Sequence, residues 1–443
     1  MRKLLLYAFL ACLAMSVCRL QLAHASPDIH VPYDYATIQG AIDAATSGET
    51  IIVHGGTYYE HIIVSKRLTL QAEGSAIIDG SFTGTVVNVS NSNVVIIGFT
   101  VRNSGNNWTQ RDSAIFIRDR QYCIIEFNHV ENSRLGVYTQ QCSHITVAGN
   151  TFTNNDEAIR LDSSTYCTID ANTGIDNQYC IILSTSTLNT IKANKIQNST
   201  SPLHLQAWSD NNTLYGNRVT ESDYGILLSQ SSNNIIFHNS FIDNADQAWL
   251  GSSSDNNVWD IGWPDGGNYW SDHNNADVKS GQYQSGPGSD GIADTAYTVE
   301  TGSLDTYPCA GPINYYPVEF IIPETIVVIS NSSITDFQMN MTQHVITFHA
   351  TGETGVGFCR VDIPNAIVSA IWQNNYRVLV NQVSIDFGNW TQDETTYIYF
   401  RYSHSTKEIV LIPELPTAFL LPLLMLATLA TLTLTRRKHT QKL

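Results

Sequence analysis

The densest group of side chains able to do chemistry in this sequence is Asp156, Glu157, Arg160 and Asp162. On an extended strand Arg160 and Asp162 share one face, because successive side chains alternate with period two. Two carboxylates held about 5 to 9 Å apart can act as acid and base on a glycosidic bond, although a solvated Arg–Asp pair is the commoner use of such residues. A second group is Asp290 and Asp294, in Ser289-Asp-Gly-Ile-Ala-Asp-Thr295. It has the form of the end of an Asp-rich calcium loop, yet calcium takes several oxygen ligands spaced two apart. Ser285, Gly286, Pro287, Gly288 and Ser289 precede it, so a structural loop competes with a calcium site. A third group is the row Phe116, Tyr138, Arg160, Ile182, His204, Leu227 and Trp249, whose aromatic faces and Arg could stack on sugar rings. Its members could equally be ordinary outward strand residues. Copper would need clustered His, Met or Cys, and none of the 13 His forms a His-x-His or His-x-x-x-His pair.

Such a row needs a scaffold that stacks equivalent residues. Asn128, Asn150, Asn172, Asn194, Asn217 and Asn239 recur at intervals of 22, 22, 22, 23 and 22 residues, which is a solenoid period. Three residues before each stands Ile125, Val147, Ile169, Ile191, Leu214 or Ile236, and two after stands Val130, Phe152, Gly174, Ile196, Val219 or Phe241. Positions nine and eleven after each Asn are mostly apolar, as in Ile159/Leu161 and Ile181/Leu183. Period-two alternation predicts three short strands per turn, where a helical repeat would show a 3.6 period. The predicted fold is therefore all-β: a right-handed parallel β-helix followed by a small β-sandwich and one C-terminal transmembrane helix. With coils about 4.8 Å apart, the repeated Asn become an inward ladder that bonds the turn backbone and the next amide. Cys123 and Cys167 share a phase two rungs apart, roughly 10 Å, beyond disulfide reach. They are expected as small core residues, with Cys142 and Cys180 read the same way and the pairing of Cys309 and Cys359 left open. Tyr35–Ala44 reads as an amphipathic helix covering the first coil, and the seven-residue excess 105–111 must bulge out as a loop.

These coils resemble the right-handed parallel β-helix superfamily of carbohydrate-binding proteins and sugar hydrolases, and more narrowly the NosD-like surface proteins. The narrower resemblance rests on Trp259-Asp260, Gly266-Gly-Asn-Tyr-Trp270 with Asp272, Asp290-Gly-Ile-Ala-Asp-Thr295 with Tyr297, and Asp305-Thr-Tyr-Pro308. It covers residues 30 to 316 and would imply copper delivery. The opening segment is similar to the start of pectin methylesterases, but the Gly-Tyr-Gln-Asp turn of those enzymes and the paired Asp-Asp with Gly-His-Gly of polygalacturonases are absent. Residues 319–412 look like the C-terminal β-sandwich of many archaeal surface proteins. Pro413-Glu-Leu-Pro416 with the following run is similar to sorting tails of Pro-Glu-Phe type, with Leu415 in place of Phe.

The chain ends set the compartment. Arg2 and Lys3, the apolar run Leu4–Val17 and Ala23-His24-Ala25 have the order of a secretory signal, and Leu415–Thr435 is 21 residues without a charge, followed by Arg436, Arg437 and Lys438. As a helix that run spans roughly 31 Å, enough for a bilayer, with the basic tail in the cytoplasm. The expected organisation is a signal (1–25), a capping helix and first coil (26–64), the β-helix (65–260), a cap segment (261–318), the sandwich (319–412) and the anchor with its tail (413–443). Without both ends the chain keeps 16 basic and 39 acidic residues, a net charge near −23, which repels nucleic acid and polyanionic glycans. Seven Asn-x-Ser/Thr sequons, at Asn88, Asn107, Asn198, Asn211, Asn331, Asn340 and Asn389, lie between the two membrane signals. The expectation is a cell-surface protein binding a glycan or another envelope component without catalysis. It requires no cofactor, with calcium at Asp290 and Asp294 as an option. Competing readings are a polysaccharide lyase or hydrolase acting through Arg160 and Asp162, a copper accessory protein, and a structural spacer.

Overall fold

A computed structural model describes residues 28–414 apart from residue 301. The predicted signal and the apolar run Leu415–Thr435 lie outside these residues, and among the described residues no helix is long and apolar enough to cross a membrane.

The 22-residue period is realised as parallel strands stacked turn upon turn. A regular turn carries two three-residue strands either side of its Asn and one longer strand, as in Ile124–Glu126, His129–Glu131 and Leu135–Gln140. The short strands build an 18-stranded sheet and the long ones a nine-stranded sheet. Register follows sequence phase: Val130 pairs with Phe152 and Phe152 with Gly174, while Val137 pairs with Ile159 and Ile159 with Ile181. The gap at Gly174 is filled from the side, since a Cβ there would stand 2.1 Å from Cys180 Sγ.

The Asn ladder is continuous and buried. Asn150 Oδ1 accepts the backbone N–H (2.9 Å) and Nδ2 (3.0 Å) of Asn128, while its own Nδ2 donates to Ile125 O (2.8 Å) and Asn172 Oδ1 (3.0 Å). The file runs one step past the sequence prediction, through Asn239 to Asn268, where the Asp305 carboxylate accepts the Asn268 backbone N–H at 2.7 Å. Three further files were not anticipated. Ser133, Asn155 and Asn177 form one, resumed at the same phase by Ser199, Ser222 and Asn244, with Ser164, Ser186, Ser209, Ser231 and Ser254 a second, and Asn189, Asn212, Asn234 and Asn257 a third. The residue before each corner sits in the left-handed region, for example Ala171 (φ 51°), Asp176 (φ 57°) and Ala193 (φ 54°). That bend costs an L-residue on the order of 1–2 kcal/mol, and the inward amide offsets it by satisfying turn N–H and C=O groups that would otherwise be buried unpaired. Cys142 and Cys167 head two of these files through their backbone N–H groups. All six cysteines of the described residues are buried free thiols, Cys309 and Cys359 included.

The first coil is closed by the helix Ile38–Ala44, shorter than the predicted Tyr35–Ala44 and capped by Thr37. Glu60 accepts the N–H groups of Ile38 and Gln39 at 2.9 and 3.0 Å, and Lys66 Nζ donates to the carbonyls of Ile42, Asp43 and Ala45. The Gln39 amide pairs with the N–H and C=O of Ile63, blocking the edge of Ile62–Val64 against other strands.

The C-terminal part is a pair of five-stranded antiparallel sheets. Its first strand, Ile313–Val318, pairs with Glu324–Ser330 and so begins inside the segment expected to be solenoid cap. A helix, Asn365–Trp372, which the sequence reading did not foresee, packs Ile367, Val368, Ile371 and Trp372 into the sandwich core. Arg360 welds the two parts: fully buried, it makes two 2.8 Å bonds to Asp362 and donates to the carbonyls of Asp265 and Asp290.

His238 lies at the same junction. Its Nε2 donates to Asp265 O and its Nδ1 accepts the Tyr315 hydroxyl, both at 2.8 Å. Burial holds the imidazole down to about 4. Because the folded pKa is depressed, this site's stability is complete above the unfolded value of about 6.5 and is lost as pH falls toward 4, at most about 3 kcal/mol. Asp277 and Asp305, pushed up to about 7 by burial, act in the opposite sense. The acid loss is therefore read by difference. Between pH 7 and 4.5 the denaturation midpoint of the native chain should fall further than that of His238→Gln, which keeps one donor and one acceptor; parallel curves would refute the assignment.

Candidate functional site

The predicted outward row exists as a file on the nine-stranded sheet, running Phe116, Tyr138, Arg160, Ile182, His204, Leu227, Trp249 in strict register. Its chemistry differs from the expectation of open aromatic faces. Rings one rung apart stack on one another, as Phe116 and Tyr138 do at 5.3 Å and 22°, so their faces are already used. Tyr138 and Ile182 are only 2% exposed. Trp249 alone among the row's aromatic rings is open, at the far end, lying over Gly251 where a Cβ would meet its ring at 2.7 Å.

The exposed ring at this face comes instead from the bulge 105–111. Trp108, 44% exposed, lies with its ring centroid 5.5 Å from the Arg134 guanidinium and 5.3 Å from that of Arg160. The loop is braced by Asp112, whose Oδ2 accepts the Asn107 N–H at 2.9 Å. Gly105 is required at that bend, since a Cβ would sit 2.1 Å from the same oxygen. Two cations under one indole fix its position by cation–π attraction.

Each guanidinium is neutralised locally. Arg160 pairs with Glu157 at 3.1 Å, the two side chains 12% and 13% exposed, and Arg134 pairs with Asp156. Burial raises the Glu157 carboxyl, opposed by the charge of Arg160. Asp162 does not pair with Arg160; its Oδ2 accepts the Tyr138 hydroxyl at 2.9 Å, and burial together with that carboxylate pushes the phenol up to about 12. Arg160 and Asp162, expected on one outward face as a pair, are thus divided between two separate contacts. Three buried nitrogens on this face keep no partner: Arg134 Nε, Arg160 Nε and His204 Nδ1. Burial, and then the Arg160 charge, lower the His204 pKa and favour the neutral ring. The face therefore sets a held, partly open indole beside two locally neutralised guanidinium groups, a pattern suited to a hydroxyl-rich ring.

The other candidate residues serve the fold. Asp290 accepts from Trp263 Nε1, Gly281 N and Gln284 Nε2 on one oxygen and Ile292 N on the other, and Asp294 Oδ1 accepts from Val278 N and Lys279 N. Both carboxylates are thus turned to N–H donors that tie loop 277–294. Their neighbours in the sequence signature close the solenoid. Asp305 Oδ2 accepts from Asn268 and from Trp270 Nε1, Tyr297 stacks on Trp270 at 4.4 Å, and Trp259 Nε1 donates to Ser303. Gly267 is needed because a Cβ would stand 1.9 Å from Asp305 Oδ1. The signature is a cap.

The architecture places the chain in the class of parallel β-helix proteins. Residues 61–275 match the family model described as "Periplasmic copper-binding protein (NosD)", and the solenoid is NosD-like. A "Cell surface glycoprotein" of Methanothermus fervidus is 35% identical over 102 residues, 22% of this chain and 16% of that protein. A "Probable ABC transporter binding protein NosD" of Pseudomonas aeruginosa is 26% identical over 106 residues, 24% of each chain. The chain thus spans a quarter or less of the length of either relative. Among solved structures, the polygalacturonase of Erwinia carotovora ssp. carotovora is 10% identical, with 52% of this chain and 94% of that one covered and a TM-score of 0.38. At that score the likeness carries no functional weight.

The copper in the family description does not fit the residues present. Among the described residues no group of three or more His, Cys, Asp or Glu could hold a metal. His30 and His54 meet at 3.0 Å, but they share a hydrogen bond and Glu73 occupies His54 Nδ1 at 3.0 Å.

Proposed function

We propose that the chain is an exported, membrane-anchored envelope protein that binds a neutral or weakly charged glycan on the face built by Trp108, Arg134, Arg160 and His204, without catalysing its cleavage. The observation that carries this reading is an exposed indole fixed over two locally neutralised arginines. Paired arginines donate hydrogen bonds without adding net charge, which suits hydroxyl-bearing sugars in a chain of net charge −17. Export is supported by the signal-like segment 1–25, by the sequons and by the likeness to a cell surface glycoprotein. The anchor rests on the run Leu415–Thr435.

The test is retention of the purified full chain on a panel of neutral and uronate-bearing polysaccharides. Trp108→Ala should weaken retention about tenfold, the scale of one lost aromatic contact, and Arg160→Met by a similar factor. Retention unchanged in both would remove the site from consideration. Unsaturated or newly reducing ends accumulating on the panel would establish an enzyme instead, and no retention at all would leave a spacer.

A further inference from the structure

The loop that carries Trp108 also carries Asn107-Trp-Thr109, one of the seven sequons, and the geometry of the seven is not equivalent. At Asn331 both ends of the amide are bound to the strand Val356–Pro364, through Val356 O and Phe358 N. The Nδ2 groups of Asn198, Asn340 and Asn389 donate to Asp176, Gln343 and the Tyr376 hydroxyl. Asn88 lies inside a three-residue strand paired on both sides, and the hydroxyl of its Ser90 is turned to Val64 O. Asn211 is exposed, but its Thr213 is fixed in the strand Thr213–Tyr215 with no contact to the amide.

Asn107 combines what the other six do not bring together: exposure, a free amide nitrogen and a sequon hydroxyl bonded to its own Asn. It is exposed on a bulge outside the strand ladders, and its Nδ2 has no partner. Its Oδ1 accepts the Thr109 hydroxyl at 2.7 Å and the Gln110 N–H at 3.2 Å. Sequon amide and sequon hydroxyl are therefore already joined in one turn, with the reacting nitrogen turned free, and the neighbouring Gly105 lets the chain bend away from the sheet.

We propose that Asn107 is a site of N-linked glycosylation, so that the protein carries its own sugar beside Trp108. The donor class is a lipid-phosphate-linked oligosaccharide. The bond from Asn107 Nδ2 to the anomeric carbon forms as the bond from that carbon to the phosphate oxygen breaks. The lipid phosphate leaves with the electron pair, and one amide proton passes to a base of the transferase. The inference rests on the export reading, because such donors are used on the outer side of a membrane.

The full chain is expressed in a host that N-glycosylates a co-expressed control sequon protein, and the exported and retained fractions are mapped by mass spectrometry. Cleavage after Arg102 and Arg111 releases the peptide 103–111. The expected result is that this peptide bears an oligosaccharide mass in the exported fraction. Asn107→Gln and Thr109→Ala should each abolish it, and Thr109→Ser should retain it. An exported chain whose 103–111 peptide is unmodified overturns this inference alone. A chain confined to the retained fraction overturns the export reading and this inference together.

Discussion

Asn172→Leu is expected to destabilise the solenoid by about 4 kcal/mol, since several buried hydrogen-bonding groups lose their partners at once. Asn172 Oδ1 accepts both the N–H and the Nδ2 of Asn150 at 3.0 Å, and its Nδ2 donates to Val147 O at 2.8 Å and Asn194 Oδ1 at 3.0 Å. Leucine is close in volume and satisfies none of these, so the loss is one of hydrogen bonding and not of packing. Asn172→Ser should be milder, because serine occupies equivalent corners in other files at Ser186 and Ser209. Guanidinium unfolding followed by circular dichroism measures the change. A shift below about 1 kcal/mol for the Leu variant would mean that turn water replaces the amide and that the file does not hold the turns together.

The second large effect is expected at Arg360. Removing one partner of a buried ion pair typically costs about 3–5 kcal/mol because the other charge stays unpaired. Arg360→Met strands Asp362, which is 6% exposed, and removes the guanidinium from over the Tyr397 ring, 4.8 Å away. The damage should fall on the junction first. The variant should unfold in two calorimetric transitions and the native chain in one, and limited proteolysis of the variant should cut between the solenoid and the sandwich. Arg360→Met combined with Asp362→Leu should recover most of the loss, since an apolar pair leaves no charge behind. A double variant as weak as the single one would show that the contacts to Asp265 and Asp290, and not the ion pair, hold the joint.

Much of this was legible in the amino-acid order. The phase of Asn128 to Asn239 fixed the register of the coils, and the same arithmetic placed Phe116 through Trp249 in one file. It would also have found the Ser164 to Ser254 file and the meeting of Arg134 with Asp156, which stand 22 residues apart. Trp108 could not be located this way: residues 105–111 interrupt the period, so no phase relates that ring to Arg134 and Arg160. Nor does phase reveal whether outward rings face solvent or one another. Tyr138 reads as exposed by alternation and is buried because Phe116 lies on it and its hydroxyl bonds Asp162. The Asp290 and Asp294 carboxylates are a similar case, since spacing cannot tell an oxygen awaiting a cation from one bound to loop N–H groups.

Every amide in the Asn file hands its hydrogen bond in the same chain direction, from Asn128 toward Asn268, and the last acceptor is no longer an amide but Asp305 Oδ2. Such a row has a head and a tail, and only its two ends are specialised. The interior can be lengthened or shortened by whole 22-residue units without disturbing the Lys66 and Glu60 clasp at one end or Asp305 at the other. Each unit changes the length of the body by about 4.8 Å, so evolution can set its reach as one trims a ruler.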